Sequence, residues 1–231
     1  MCMENIGRNL EIINENIGEA AYKSGRERSD ITLIGVTKTV DVQRINHLVS
    51  LGVTNLGENR VQELMGKYER VNGCNWHLIG NLQKNKVKYI IDKVSLIQSA
   101  DSFALAQCIN NEAAKKNVVA DILLEINIAN EVTKHGITPT ECLGLARNLE
   151  GFGNIRLRGL MTVAPFVENG EENRDFFKKM FDLYVDIRAK IVNNKHISVL
   201  SMGMTGDYAQ AIEEGANMVR VGTGIFGRRE L

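Results

Sequence analysis

The chain has 231 residues, 44% of them hydrophobic, and its 28 basic and 28 acidic side chains give a formal net charge of zero. That is enough apolar content for a full core, and the neutral balance gives no electrostatic reason for a nucleic-acid or membrane-surface partner. The four cysteines, Cys2, Cys74, Cys108 and Cys142, lie at least 34 residues apart, which excludes CxxC and Cys/His zinc spacings. With no basic-then-apolar leader and no apolar run of membrane-spanning length, a reduced cytoplasmic protein is the expectation.

Residues 4–24 carry Ile6, Leu10, Ile13, Ile17 and Ala21 at spacings of three and four, which predicts an amphipathic helix ending near Ser24-Gly25. The next stretch, Ile31 to Val36, is apolar and β-branched, and too short for a helix. It reads as a strand buried on both faces, of the parallel-sheet type, and it delivers Lys38 at its far end. Burial there would lower the lysine pKa and free the amine for Schiff-base chemistry with an aldehyde. Asp41 then caps a helix through Val42, Ile45, Leu48 and Val49, which stops at Leu51-Gly52.

The unit repeats. Apolar stretches at 53–57, 76–80, 93–98, 118–128, 155–161, 197–201 and 217–222 make eight strands with the first. Helical patterns lie between them: 102–116 after Asp101 as a cap, 138–149 opened by Thr138-Pro139-Thr140-Glu141, 171–192 and 207–214. In 171–192, Phe177, Phe181, Tyr184, Ile187 and Ile191 fall along one side. Eight alternating βα units without a linker predict a single (β/α)8 TIM barrel over 1–231, with an N-terminal helix at 1–25 packed on it. A doubly wound open sheet is the other arrangement, but the glycine-rich first turn it usually carries is missing after Lys38.

In such a barrel the site forms at the C-terminal strand ends. These are Lys38, Glu58-Asn59, Asn81, Asn127, Met161-Thr162, Ser201-Met202-Gly203 and Gly222-Thr223-Gly224. The glycine-rich turns after strands seven and eight lie where these barrels commonly hold phosphate, with Ser201 and Thr223 adding hydroxyls. Arg220 shares a face with Gly222 by the period of two. It either makes an internal salt bridge or donates to an acid group or ring nitrogen. Lysine, phosphate cradle and arginine together describe pyridoxal 5′-phosphate; a Schiff-base aldolase acting on sugar phosphates is the competing reading. Lys84, Lys86, Lys88 and Lys93 read as a solvated helix face, and His77 as a packed core residue.

Several motifs carry a resemblance. VTKT (36–39), GENRVQE (57–63), WHLIGNLQKNK (76–86), NIANEVTKHG (127–136), GLMTV (159–163), LSMGMTGD (200–207) and VRVGTGIFG (219–227) resemble the YggS/PROSC family of pyridoxal phosphate homeostasis proteins. The match runs over about nine-tenths of the chain. It departs from the family pattern at Arg60, where an aromatic residue is more usual, and at Val40, where a polar one is. The resemblance implies a barrel like the N-terminal domain of alanine racemase, with pyridoxal phosphate held as a Schiff base on Lys38. It further implies that Ser201, Gly222 and Thr223 hold the phosphate, that Arg220 faces the pyridine nitrogen, and that Asn59 lies beside the cofactor. It also implies a monomer.

Two function classes follow from this: a protein that stores, buffers or delivers the cofactor, with apo pyridoxal-phosphate enzymes as recipients, or a racemase-like enzyme. A two-base racemase needs a proton donor on each face of the substrate carbanion. Racemases of this barrel type take one, a tyrosine, from a second β-domain, and none follows strand eight here. The five tyrosines, Tyr22, Tyr68, Tyr89, Tyr184 and Tyr208, lie in predicted helices, and only Tyr208 is near a site loop. The carrier is therefore expected, without robust turnover.

Overall fold

The computed structural model describes residues 4–131, 133–191 and 194–227. Eight parallel strands close into a barrel in chain order, with β1 hydrogen-bonded to both β2 and β8. They are β1 (Thr32–Val36), β2 (Asn55–Glu58), β3 (Asn75–Leu78), β4 (Leu96–Ala100), β5 (Ala120–Glu125), β6 (Ile155–Met161), β7 (Val199–Ser201) and β8 (Met218–Val221). The helices are α1 (Glu4–Lys23), α2 (Val42–Ser50), α3 (Val61–Tyr68), α4 (Val87–Ile90), α5 (Phe103–Lys115), α6 (Pro139–Leu149), α7 (Arg174–Lys190), α8 (Tyr208–Glu213) and α9 (Thr223–Phe226). None of them is long and apolar enough to cross a membrane. The (β/α)8 expectation holds.

The strand pattern follows from two-sided burial. Ile34, Leu96, Leu123, Met161 and Met218, from five different strands, form one apolar cluster inside the barrel. The outward faces join a larger cluster with the apolar stripes of the helices. On α1 that stripe is Ile6, Leu10, Ile13, Ile17 and Ala21. The helix lies against the last βα unit: the Asn9 amide donates to Ile225 O at 2.9 Å, and the Asn16 amide to the Tyr208 hydroxyl at 3.0 Å.

Local signals act mostly as expected. The Asp41 carboxylate accepts from Arg44 N–H, and Gly52 ends that unit at φ 94°. The Glu141 carboxylate accepts from Thr138 N–H at 2.9 Å, with Pro139 opening α6. Three details differ. The cap of α5 is Ser102, whose hydroxyl accepts from Leu105 N–H, not Asp101. Residues 170–173 form a 3₁₀ turn before α7, where four consecutive polar or glycine residues supply no apolar stripe. Phe181 is 37% exposed while Met180 is fully buried, because the stripe of α7 runs Phe177, Met180, Tyr184, Ile187. Residue 192, the expected end of that helix, lies outside the described residues.

Candidate cofactor site

β1 ends at Val36, and Lys38 follows in a turn as an exposed side chain. The burial expected for this lysine is absent, because the strand stops two residues before it. Its backbone is nevertheless tightly held. The Lys67 ammonium on α3 donates to Thr37 O at 2.9 Å and to Glu58 Oε1 at 2.6 Å. The Thr37 hydroxyl donates to the same Glu58 oxygen at 2.7 Å. On the far side, Thr39 N–H donates to Glu63 Oε2 at 2.8 Å. Thr39 sits at φ 63°, a conformation L-residues reach only when their surroundings impose it. The turn carrying Lys38 is thus pinned at both neighbours, while the amine has no partner among the described residues.

The register places the other residues. Val36 pairs with Gly57, and Thr37 N–H donates to Gly57 O at 2.9 Å, so Asn59 lies level with Lys38 on the β2 side. Gly80 lets Asn59 approach: a Cβ there would stand 2.5 Å from Asn59 O. On the other side Ile34 pairs with Arg220. A Cβ on Gly222 would meet Val36 Cβ at 3.2 Å, so Gly222 lies directly against the end of β1.

The turns after β7 and β8 are linked. Arg220 N–H donates to Gly203 O at 3.1 Å. Thr205 Oγ1 accepts from Gly224 N–H and from the Thr223 hydroxyl, both at 3.2 Å. Gly203 holds φ 90°, where a Cβ would come within 2.5 Å of Ala211 Cβ. Buried Asp207 shapes the loop by accepting from Met204 N–H at 2.6 Å and from the Asn173 amide at 2.8 Å. Thr223 is exposed at the start of α9.

Arg220 is 3% exposed and enters the barrel. Among the described residues it makes no salt bridge. It donates to Ser201 Oγ at 2.5 Å and to Thr162 O at 2.7 Å, both neutral acceptors. Burial lowers it to about 10, against the opposing charges of Glu125 and Asp207. Glu125, at the end of β5, is raised to about 7 by burial and then by Asp101, against Arg220. The structure therefore gathers Lys38, Asn59 and Gly222 at one level, joins Ser201 to Arg220, and ties Thr223 to the β7 turn. Asn81 and Asn127 behave differently. Asn81 bonds His135 at the rim, and Asn127 closes its own loop onto Glu131.

Sequence reasoning missed α3, and with it Lys67 and Glu63. It also missed Gln98. The i,i+4 spacing of Glu63 and Lys67 was a usable signal for the first pair. Gln98 stands two residues after Leu96, so the strand period already points it inward.

The residues fit a phosphorylated aldehyde. An exposed amine, glycine-rich turns in which Gly203 and Gly224 leave no room for a Cβ, and a buried arginine without a carboxylate partner among the described residues lie at one end of the barrel.

Known proteins share this sequence and fold. Residues 9–230 match the alanine racemase N-terminal domain. The pyridoxal phosphate homeostasis protein of Aquifex aeolicus is 40% identical over 223 residues, 96% of this chain and 97% of that protein. The structure of PipY from Synechococcus elongatus with PLP bound superposes with a TM-score of 0.83 at 27% identity, covering 96% of this chain and all of PipY. An alanine racemase from Clostridium difficile shares the fold at 20% identity and TM-score 0.74, with 58% of its length covered. On the barrel, its site and these relatives, the chain belongs to the pyridoxal phosphate homeostasis protein family, built on the alanine racemase N-terminal domain.

Proposed function

We propose that this chain binds pyridoxal 5′-phosphate through Lys38 as a Schiff base and works in the homeostasis of the cofactor, by storage, buffering or delivery. The carrying observation is the pinned turn that presents the free Lys38 amine beside Gly222. When bound, the cofactor supplies an aldehyde for that amine and an electron sink in its ring. Around it, Asn59 flanks the lysine and the linked turns at Ser201, Gly222 and Thr223 take the phosphate. Arg220 donates toward the ring nitrogen. The whole chain acts as one cofactor-holding domain, as a monomer, with apo pyridoxal-phosphate enzymes as recipients.

An arginine at the ring nitrogen weakens the electron sink, but racemases of this barrel type tolerate one there, so it does not decide between a carrier and a racemase-like enzyme. One observation favours the carrier. Tyr208, the tyrosine nearest the mouth, is 8% exposed with its hydroxyl engaged by Asn16. It is therefore not placed as a second base.

The test is an absorbance spectrum of the purified protein before and after borohydride, with Lys38→Ala alongside. A band near roughly 420 nm that bleaches and leaves the adduct on Lys38 is expected. A colourless protein that takes up no pyridoxal phosphate would sink the reading. Steady amino-acid racemisation that disappears in Lys38→Ala would replace the carrier by an enzyme.

A further inference from the structure

Below the mouth, a line of polar side chains crosses the barrel interior between otherwise apolar walls. Arg220 (β8) donates to Ser201 Oγ (β7) at 2.5 Å. Ser201 donates to Gln98 Oε1 (β4) at 2.7 Å. The Gln98 amide reaches His77 Nδ1 (β3) at 3.2 Å, and His77 Nε2 lies 3.3 Å from Asn55 Oδ1 (β2). His77, Gln98, Ser201 and Arg220 are 4%, 0%, 0% and 3% exposed, respectively.

Donor counting makes every member single-valued. A guanidinium only donates, so the one proton of Ser201 must go to an acceptor, which is Gln98 Oε1. The Gln98 NH₂ then faces His77 Nδ1, which must offer a lone pair. The His77 proton is therefore on Nε2, donated to Asn55. A protonated imidazole would set two donors against each other. Burial agrees, holding His77 down to about 4. The line carries no proton current, since an amide does not readily pass one on. What it transmits is orientation.

We propose that Gln98, supported by His77, is a positioning residue that fixes the Arg220 guanidinium for the cofactor by way of the Ser201 hydroxyl. The inference rests on the cofactor reading above. The charges acting on Arg220 are Glu125 and Asp207, and neither bonds it, so no carboxylate can substitute for this anchoring. Removing the Gln98 acceptor frees the Ser201 hydroxyl to rotate and loosens one of the two bonds that hold Arg220.

The experiment uses the full chain as wild type, Gln98→Met, Arg220→Lys and the double variant. Each is titrated with pyridoxal 5′-phosphate and read by Kd and by visible circular dichroism of the bound cofactor, which reports ring orientation. Gln98→Met is expected to weaken binding about fivefold, the equivalent of one net hydrogen bond, and to change the dichroic band. In the Arg220→Lys background the same substitution is expected to have almost no further effect. Should Gln98→Met fail to fold, His77→Asn is expected to act in the same direction through the same cycle. Unchanged binding and dichroism in the single variant, or an undiminished loss on Arg220→Lys, would overturn the assignment while leaving the cofactor reading intact. A wild type that takes up no cofactor would overturn both.

Discussion

The Lys67 ammonium donates to the carbonyl oxygen of Thr37 at 2.9 Å, one residue before Lys38. The same ammonium pairs with Oε1 of Glu58, which is fully buried and whose Oε2 has no hydrogen-bond partner among the described residues. Removing a member of such a pair strands the other charge inside the protein, at a cost of about 3–5 kcal/mol. Lys67→Met is therefore expected to lower stability by that amount in urea unfolding. Adding Glu58→Gln is expected to recover part of the loss, because no charge is then stranded. Equal stability of the single and double variants would contradict the clamp.

The titrations of Glu125 and His77 oppose one another. Glu125 is raised from 4.5 to about 7 by burial, so in that window the folded state binds the proton more tightly. Its contribution is present at low pH and is lost as pH rises through 7. His77 is lowered from 6.5 to about 4 by burial, so the unfolded state takes the proton first, and stability is lost as pH falls through that range. Each is worth up to about 3 kcal/mol, and they offset one another between pH 4.5 and 6.5. Glu125→Gln is expected to expose the histidine slope. Its stability should fall steadily from pH 7 to 4 in denaturant midpoints, while the wild type stays nearly flat. A flat Glu125→Gln profile would refute the pairing.

Gly203→Ala tests the turn after β7. The position combines φ 90° with Ala211 Cβ 2.5 Å and Tyr208 Cα 2.9 Å from an added methyl. Strain and overpacking are expected to lower stability by about 3 kcal/mol, seen as a reduced melting temperature. Gly66→Ala, on α3 with nothing within 4 Å of its Cβ, is the control and is expected to be neutral or slightly stabilising.

Thr205→Val addresses the phosphate directly. It removes the acceptor for Gly224 N–H and the Thr223 hydroxyl. Binding of pyridoxal 5′-phosphate is expected to weaken about fivefold, with pyridoxal, which lacks the phosphate, unaffected. Equal losses for both ligands would show that the turn does not serve the phosphate.

The barrel was legible because its signals are local. The two-faced apolar run before Lys38, the Asp41 cap and the Thr138–Glu141 box each act within a few residues. Strand limits were less so: the run at 118–128 narrows to Ala120–Glu125 because the chain beyond turns back to pair Ile126 with Ile137. Arg220 could be placed inside from its period, but not its partners, since Ser201 and Thr162 come from strands 19 and 58 residues away in sequence. The Lys38 clamp was hidden for the same reason. Glu63 and Lys67 look like ordinary helix-face charges until the fold lays α3 beside the first turn and the strand-end Glu58.

The five-residue apolar cluster inside the barrel has a topological consequence. With Ile34, Leu96, Leu123, Met161 and Met218 closing the interior, the barrel is a bowl and not a tunnel. Whatever settles at the mouth enters and departs by the same doorway. Loading and unloading therefore compete for one opening and cannot run at the same time.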